Sequence, residues 1–274
     1  MSPFPKRPLE FYGRLVTDDA SLAAALRKQA CPFLGRRCEK PRKSDPKQTI
    51  GACVVGHGGA PLIICPHRFI QRDQIFLDCV GLLMPKLQYL IVREVSMPGG
   101  SIDYFLVGMR GGEIFDYCGV EIQSLDTTGS GGIWQAREDL SRGAAAASHA
   151  YGINWKMSAK TILVQLHHKA ASFEALGKKL VLVVQREFFS YVTREFDVSQ
   201  LRPAQKQDPI HFHIYDPVSL NSRLQVVLTD RRSTDVGGVE RMLKLGRSPD
   251  ILESEVIRRI KAKMPTARPL SVRP

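Results

Sequence analysis

The sequence SIDYFLVGMRGGEIFDYCGVEIQS, residues 101–124, predicts a β-hairpin that carries polar side chains in both strands. Apolar residues that alternate on each side of the Gly-Gly pair at 111–112 are typical of two antiparallel strands joined by a tight turn. Residues i and i+2 of a strand share a face, so Glu121 and Gln123 lie on the same side. Asp103 is nearly as far from the turn as Glu121. The pattern therefore predicts that the carboxylates of Asp103 and Glu121 are neighbours.

Two neighbouring carboxylates have two interpretations. They repel each other unless a cation or a shared proton lies between them. Oxygen ligands of this kind favour Mg²⁺, which can activate a water molecule and stabilise charge on a phosphoryl oxygen. The alternative is a hairpin whose polar face meets solvent, where the acidic residues only confer solubility. The spacing leaves both interpretations open.

The composition favours a soluble protein with a polyanionic partner. The 274 residues include 39 Lys and Arg against 27 Asp and Glu, which gives a formal net charge of +12. Such a bias suits a partner rich in phosphate, because each neutralised phosphate releases condensed counterions. No secretory signal and no apolar run of about 18 residues appears in the sequence. We therefore expect a cytoplasmic protein with no membrane partner.

The order of the remaining patterns predicts an α/β (α+β) fold, with a mixed β-sheet flanked by helices. We expect residues 1–74 to hold an N-terminal helix and a cysteine-rich region, and residues 75–274 to form the main core. The segments behind this prediction are a helix after residue 17, a helix over residues 157–169, a buried strand within KKLVLVVQ, strands at HFHIYD and RLQVVLTD, and a basic amphipathic helix over residues 249–264.

The cysteine-rich region favours a metal site over disulfides. Cys31, Cys38, Cys53 and Cys65 follow the pattern C-x6-C-x14-C-x11-C in a segment rich in Gly, Pro, Lys and Arg. Disulfides are disfavoured in a chain without an export signal. Four thiolates bind a tetrahedral metal, which would stabilise a segment with little hydrophobic material of its own. The alternative is four free thiols in a loop. His57 and His67 lie nearby and could replace one cysteine as a ligand, but nearby histidines are more often spectators.

Five stretches carry a resemblance to a known family. They are, in order, CPFLGRRCEK, GACVV, ICPHRF, GGSIDYFLV and GVEIQSLDTTGS. Together with a glutamate, then Ile-Asp in one strand and Glu-x-Gln in the next, they resemble the NotI restriction endonuclease family within the PD-(D/E)XK nucleases. The resemblance extends from about Phe11 to about Asp230.

The resemblance implies a fold, an activity and a site. The implied fold is that of the PD-(D/E)XK nucleases, with a structural iron, or alternatively zinc, on the four cysteines. The implied activity is that of a type II restriction endonuclease, a homodimer in the bacterial cytoplasm that hydrolyses duplex DNA with Mg²⁺ at a GC-rich palindromic sequence. Carried over to this chain, Asp103 and Glu121 bind Mg²⁺, and Gln123 takes the place of the usual lysine. Glu94 is the upstream acidic residue that orders a water molecule.

Two other functions remain open from the sequence. One is a metal-containing DNA-binding protein without nuclease activity, and the other is a non-specific repair or mobile-element nuclease. The intact set of Asp103, Glu121 and Gln123 argues against the first, and the cysteine segment argues against the second. Gln165 and Lys169 either reach the scissile phosphate or lie on a solvated helix face.

Overall fold

The computed structural model describes residues 6–17, 19–97, 100–144, 149–220, 223–245 and 257–258. The chain divides into two compact units, Met1–Leu243 and Lys244–Pro274. All helices and strands named below belong to the first unit. The basic helix predicted over residues 249–264 lies outside the described residues, apart from Ile257 and Arg258.

The described residues form seventeen strands, six α-helices and three 3₁₀ helices. The strands are β1 (Pro8–Phe11), β2 (Arg14–Leu15), β3 (Ala30–Cys31), β4 (Arg36–Arg37), β5 (Pro41–Arg42), β6 (Asp45–Thr49), β7 (Ala52–His57), β8 (Ala60–Ile63), β9 (Gln88–Met97), β10 (Gly100–Arg110), β11 (Glu113–Gln123), β12 (Thr127–Thr128), β13 (Gly152–Ile153), β14 (Lys179–Gln185), β15 (Arg202–Pro203), β16 (Ile210–Leu220) and β17 (Arg223–Thr234). The α-helices are α1 (Asp19–Lys28), α2 (Gln74–Leu77), α3 (Gly131–Ser141), α4 (Trp155–Ala175), α5 (Arg186–Glu195) and α6 (Val236–Met242). The 3₁₀ helices are Pro66–Arg68, Gln71–Asp73 and Val80–Leu82.

A seven-stranded mixed sheet is the centre of the fold. Its strand order is β15-β17-β16-β14-β11-β10-β9. Strand β14 runs parallel to both β11 and β16, and the other neighbours are antiparallel. Helix α4 belongs to the connection between β11 and β14, because parallel strands cannot be joined by a tight turn and need a crossover. The predicted mixed sheet flanked by helices is confirmed.

The sheet is covered on both faces, which explains the continuous apolar run of β14. Leu180 and Leu182 belong to the hydrophobic cluster that includes residues of α4, α5 and α6. Val181 and Val183 belong to a second cluster, which includes Phe69 and other residues of the segment before β9. Alternate residues of a strand face opposite sides, so a strand buried on both faces needs an apolar residue at every position.

The cysteine-rich segment contains more buried apolar residues than the sequence predicted. Strands β7 and β8 pair with each other and join β1 and β2 in a sheet of order β2-β1-β7-β8. Val54, Val55, Leu62 and Ile63 on these strands are almost completely buried. The apolar run of each strand is too short to form a core alone, but β7 and β8 together bury their apolar residues when they pair. The hydrophobic clusters combine residues from both sides of residue 74, and the division there into two functional regions stays a prediction.

The turn between β10 and β11 is formed by two glycines, as the sequence predicts. Gly111 has φ +60° and Gly112 has φ +87°, so both lie in the left-handed region. Consecutive positive φ values match the right-handed twist of the strands in a two-residue turn. A Cβ atom at either position would meet nothing within 4 Å, so the requirement for glycine is one of backbone conformation.

Candidate active site

Three carboxylates occupy one row across the adjacent strands β9, β10 and β11. Asp103 is central, with Glu94 opposite it on β9 and Glu121 opposite it on β11. The row follows from the neighbouring backbone pairs, which are Ile102 with Val95, Tyr104 with Arg93, and Tyr104 with Val120. Directly opposed residues of antiparallel strands lie on the same face, so the row puts acidic side chains next to one another. The three carboxylates of the row nevertheless do not form a group that could hold a metal ion, and no such group of three is found among the described residues.

A β-bulge in the hairpin puts Asp103 opposite Glu121. Near the turn Met109 pairs with Ile114, but Gly108 pairs with Asp116, which leaves Phe115 as an extra residue on β11. An uninterrupted ladder counted from the turn would pair Asp103 with Val120 instead. Bulges commonly re-aim side chains next to active sites.

Glu121 is buried and bound to a lysine of α4. Lys169 Nζ lies 2.6 Å from Glu121 Oε1, and both side chains are almost completely buried, with exposed fractions of 6% and 5%. The same ammonium donates to the Ser101 carbonyl at 2.7 Å. Burial and the negative charge of Asp103 raise the pKa of Glu121 to about 7, although Lys169 opposes the rise. Removal from solvent, more than neighbouring charge, therefore governs the ionisation of this carboxylate.

Asp103 is half-buried and turned toward the same strand. Its Oδ2 accepts a hydrogen bond from the Ile122 amide at 2.9 Å. Burial raises the pKa of Asp103, and the Ile122 amide and the Lys169 ammonium lower it in part. The negative charge of Asp103 in turn raises the pKa of Glu121, as expected for neighbouring carboxylates.

A small pocket opens beside the row. It has a volume of about 150 Å³, and its walls include His67, Glu94, Asp103 and Tyr104. The side chain of Glu94 is 78% exposed and lies 3.8 Å from the Arg93 guanidinium. Glu94 has φ +52°, an uncommon conformation for a residue with a side chain. Such a strained residue in a pocket wall is a sign of a functional constraint.

Gln123 lies at the end of β11, two residues beyond Glu121. Its side chain is half-buried, and its amide Nε2 donates to the Ser124 carbonyl. The structure therefore puts Gln123 on the strand of Glu121 but gives its amide a local backbone partner.

Comparison with known families decides where the chain belongs. The family described as Restriction endonuclease NotI matches residues 26–216, which is most of the chain and includes every residue of the row. The chain belongs to the NotI restriction endonuclease family. Restriction endonucleases are hydrolases that cut DNA. No curated protein shows a significant match. Among the described residues, no helix is long and apolar enough to cross a membrane.

Of the four cysteines in the predicted metal site of this NotI-family chain, Cys53 and Cys65 interact with each other. The Cys53 thiol donates to the Gly51 carbonyl at 3.3 Å. Its interaction with Cys65 raises the pKa of Cys53 and lowers that of Cys65. Burial is the main cause that raises the pKa of Cys31, and the nearby Cys65 and Cys38 raise it as well. Within the described ranges, however, no three His, Cys, Asp or Glu residues form a group that could hold a metal ion. Four thiols are suitable ligands for a tetrahedral metal, but the four sulfur atoms do not surround one common position.

The sequence left two residues of the site without a definite role: Lys169 either reached a phosphate or lay on a solvated helix face, and His67 was only a histidine near the cysteines. The solvated alternative is wrong for Lys169, which is 5% exposed. His67 lines the pocket with Glu94 and Asp103, and its Nε2 lies 3.1 Å from Glu39 Oε2. Lys169 is buried on the inner face of α4, in line with Ile162 and Leu166. The sequence signal that could have identified Lys169 as a buried residue was its position in the apolar stripe of the helix. His67 offered no comparable signal, because its neighbours in the pocket lie far away in the sequence.

Proposed function

We propose that the protein is a type II restriction endonuclease that hydrolyses phosphodiester bonds of duplex DNA with Mg²⁺. The observation that carries the proposal is the row of Glu94, Asp103 and Glu121 in a chain of the NotI family. By the family resemblance, the target is a GC-rich palindromic sequence, the fold is of the PD-(D/E)XK type, and the location is the bacterial cytoplasm.

The residues of the row suit a divalent cation. Asp103 and Glu121 are carboxylates on one face of adjacent strands, and burial raises the pKa of both. Oxygen donors with an excess of negative charge are the ligands that Mg²⁺ prefers. When bound, Mg²⁺ supplies electrostatic stabilisation of the negative charge that develops on a phosphoryl oxygen.

The protein's own groups have separate roles in this proposal. Glu94, exposed in the pocket wall, accepts a hydrogen bond from the attacking water and orients it. Gln123 holds a water or phosphate oxygen by hydrogen bonding only, because a neutral amide cannot act as a base. Lys169 balances the charge of Glu121 in the absence of substrate.

A homodimer follows from the proposed symmetric target, because a two-fold protein matches a palindromic site. The edge strand β9 supports it. Leu90, Ile91 and Val92 on this strand are at least 40% exposed. Long apolar edge strands are normally covered in native proteins. Sedimentation velocity with and without duplex DNA tests this, and a monomer in both conditions would contradict it.

We also propose that Cys31, Cys38, Cys53 and Cys65 hold a structural iron, with zinc as the alternative. The support is the donor set itself and the contact between Cys53 and Cys65. Both metals accept four thiolates in tetrahedral geometry. Closure would require Cys31 and Cys38 to approach that pair.

The deciding experiment is digestion of mixed-sequence duplex DNA with Mg²⁺, followed by sequencing of the ends. We expect a single cleaved sequence for the wild type and no cleavage for Glu121→Gln. DNA binding without cleavage by the wild type would instead indicate the non-catalytic DNA-binding protein. Ends without a common sequence would indicate the non-specific nuclease.

A further inference from the structure

A second pocket, away from the carboxylate row, is lined by four arginines. Its volume is about 380 Å³, and Arg14, Arg68, Arg72 and Arg223 contribute to its walls. These residues come from β2, the segment between β8 and β9, and the start of β17. We call it the arginine pocket. Its walls are distant in sequence, so the fold itself gathers these charges.

Three of the four arginines have no ionic partner among the described residues. Arg14, Arg72 and Arg223 make no side-chain hydrogen bond or ion pair with any part of the chain that the structure describes. Other arginines of the protein are paired, for example Arg186 with Asp216 and Arg202 with Asp208. Unpaired guanidinium groups that converge on one cavity are available for a ligand.

The fourth arginine forms a fixed wall. Arg68 is 1% exposed, and its Nε donates to Glu10 Oε1 at 2.7 Å. Its other nitrogens donate to Gln71 and to the Leu224 carbonyl. Its guanidinium also lies over the Phe33 ring, 5.0 Å from the centroid. Because Glu10 neutralises Arg68, the charge of the pocket comes from the other residues.

That charge is positive. Arg14, Arg72 and Arg223 contribute three positive charges and Asp73 one negative charge, which leaves a net charge of about +2 in the wall at neutral pH. An anionic ligand is therefore favoured over a cationic or neutral one. Guanidinium groups match phosphate oxygens in pairs, which favours phosphate among anions.

The backbone of the pocket wall is strained. Arg72 has φ +56° and Asp73 has φ +55°, so two consecutive residues with side chains are left-handed. Residues other than glycine rarely adopt this conformation, and it persists where surrounding structure enforces it. Gly13 has φ +69°, and a Cβ there would lie 2.7 Å from Pro32 Cγ. The pocket wall is thus shaped by unusual backbone on two sides.

We propose that the arginine pocket binds a backbone phosphate of the DNA, away from the phosphate that is cleaved. The segment Pro66–Arg68 and the following residues up to Asp73 connect the two sites, because Pro66 and His67 line the carboxylate pocket and Arg68 and Asp73 line the arginine pocket. Such a contact positions the duplex without reading its sequence. The proposal rests on the proposed function only in taking DNA as the ligand.

The test is DNA binding without Mg²⁺, so that cleavage does not enter the measurement. Fluorescence anisotropy with a labelled duplex is recorded over a series of KCl concentrations. The variant is Arg14→Gln/Arg72→Gln/Arg223→Gln. The control is Arg27→Gln/Arg110→Gln/Arg194→Gln, which removes the same charge from three exposed arginines elsewhere. Because Arg14 is half-buried, Arg72→Gln/Arg223→Gln is measured as well, and thermal unfolding verifies that each variant folds.

We expect the pocket variant to bind DNA at least about 10-fold more weakly than the control variant. The slope of log K against log salt should fall by about 0.9 for each phosphate that the variant no longer binds. Equal affinity and slope in the two triple variants would overturn the proposal. If dAMP binds the wild type but not the pocket variant, while DNA binding matches the control, the phosphate belongs to a free nucleotide and the DNA assignment is wrong. Binding that depends on these arginines, in a protein that does not cut DNA, would contradict the proposed function alone.

Discussion

Lys169 on α4 and Glu121 on β11 form a buried ion pair, with 2.6 Å between Nζ and Oε1. The pair ties the helix to the strand that carries the candidate site. Because both groups are removed from solvent, each charged form is stabilised mainly by the opposite charge of its partner.

Lys169→Met should destabilise the protein by about 3–5 kcal/mol, because it leaves the Glu121 carboxylate buried without its cation. Urea unfolding at pH 8 in EDTA measures the free energy of unfolding. The double variant Lys169→Met/Glu121→Gln should recover most of the loss. Lys178→Met is the control, since Lys178 pairs with Asp116 at 2.7 Å but is a quarter exposed. It should cost only about 1 kcal/mol. Equal losses in the two single variants would contradict the coupling of Lys169 to Glu121.

His213 should make the protein less stable as the pH falls. Its imidazole is completely buried, and Nε2 has no partner within the described chain. Burial, together with the nearby charges of Arg231 and His211, lowers the pKa of His213 to about 3. In the unfolded chain the pKa is about 6.5, so the unfolded state binds the proton first. The contribution of His213 to stability is therefore complete above about pH 6.5 and is lost as the pH falls toward 3.

The expected slope from this residue is up to about 1.4 kcal/mol per pH unit. Urea unfolding between pH 4 and pH 7 measures it. His213→Leu should flatten the dependence, and His168→Gln, which removes an exposed imidazole, should leave it as in the wild type. An unchanged slope in His213→Leu would show that other groups cause the acid sensitivity.

Gln123→Ala should slow DNA cleavage by about 10²-fold, the typical effect of losing one hydrogen-bond donor at a reacting centre. Binding to DNA in EDTA should stay the same, because the amide is proposed to act on the reacting groups. Gln165→Ala is a matched change on an exposed residue of α4 and should leave the cleavage rate unchanged. A wild-type rate in Gln123→Ala would remove Gln123 from the site.

The cysteine proposal predicts about one iron or zinc ion per chain, measured by mass spectrometry of the purified protein. Cys65→Ser should lose the metal and unfold at a lower temperature. Cys118→Ser alters another buried cysteine and should keep the metal. Folded wild-type protein without metal would contradict the proposal.

Local patterns predicted much of the fold. The Gly-Gly turn required positive φ, and the continuous apolar run of β14 required cover on both faces. The apolar stripe of α4 gave the helix, although a lysine within that stripe was not assigned a partner. Each of these features depends on neighbours close in the sequence.

Long-range features could not be predicted in the same way. The extra residue Phe115 lies in an apolar strand pattern that looks regular, so the register between Asp103 and Glu121 was only approximate. The left-handed backbone of Glu94 has no sequence sign, since glutamate rarely adopts it. Arg68 and Glu10 pair across 58 positions, and only folding brings their charges together.

The central claim is that the carboxylate row performs the hydrolysis. The most direct measurement compares single-turnover cleavage of a target duplex with Mg²⁺ by Asp103→Asn and Asp116→Asn. Both residues belong to the same hairpin, but Asp116 pairs with Lys178 away from the row. We predict that Asp103→Asn binds the duplex normally and does not cut it, while Asp116→Asn cuts at nearly the wild-type rate. Cleavage by Asp103→Asn at the wild-type rate would contradict the account.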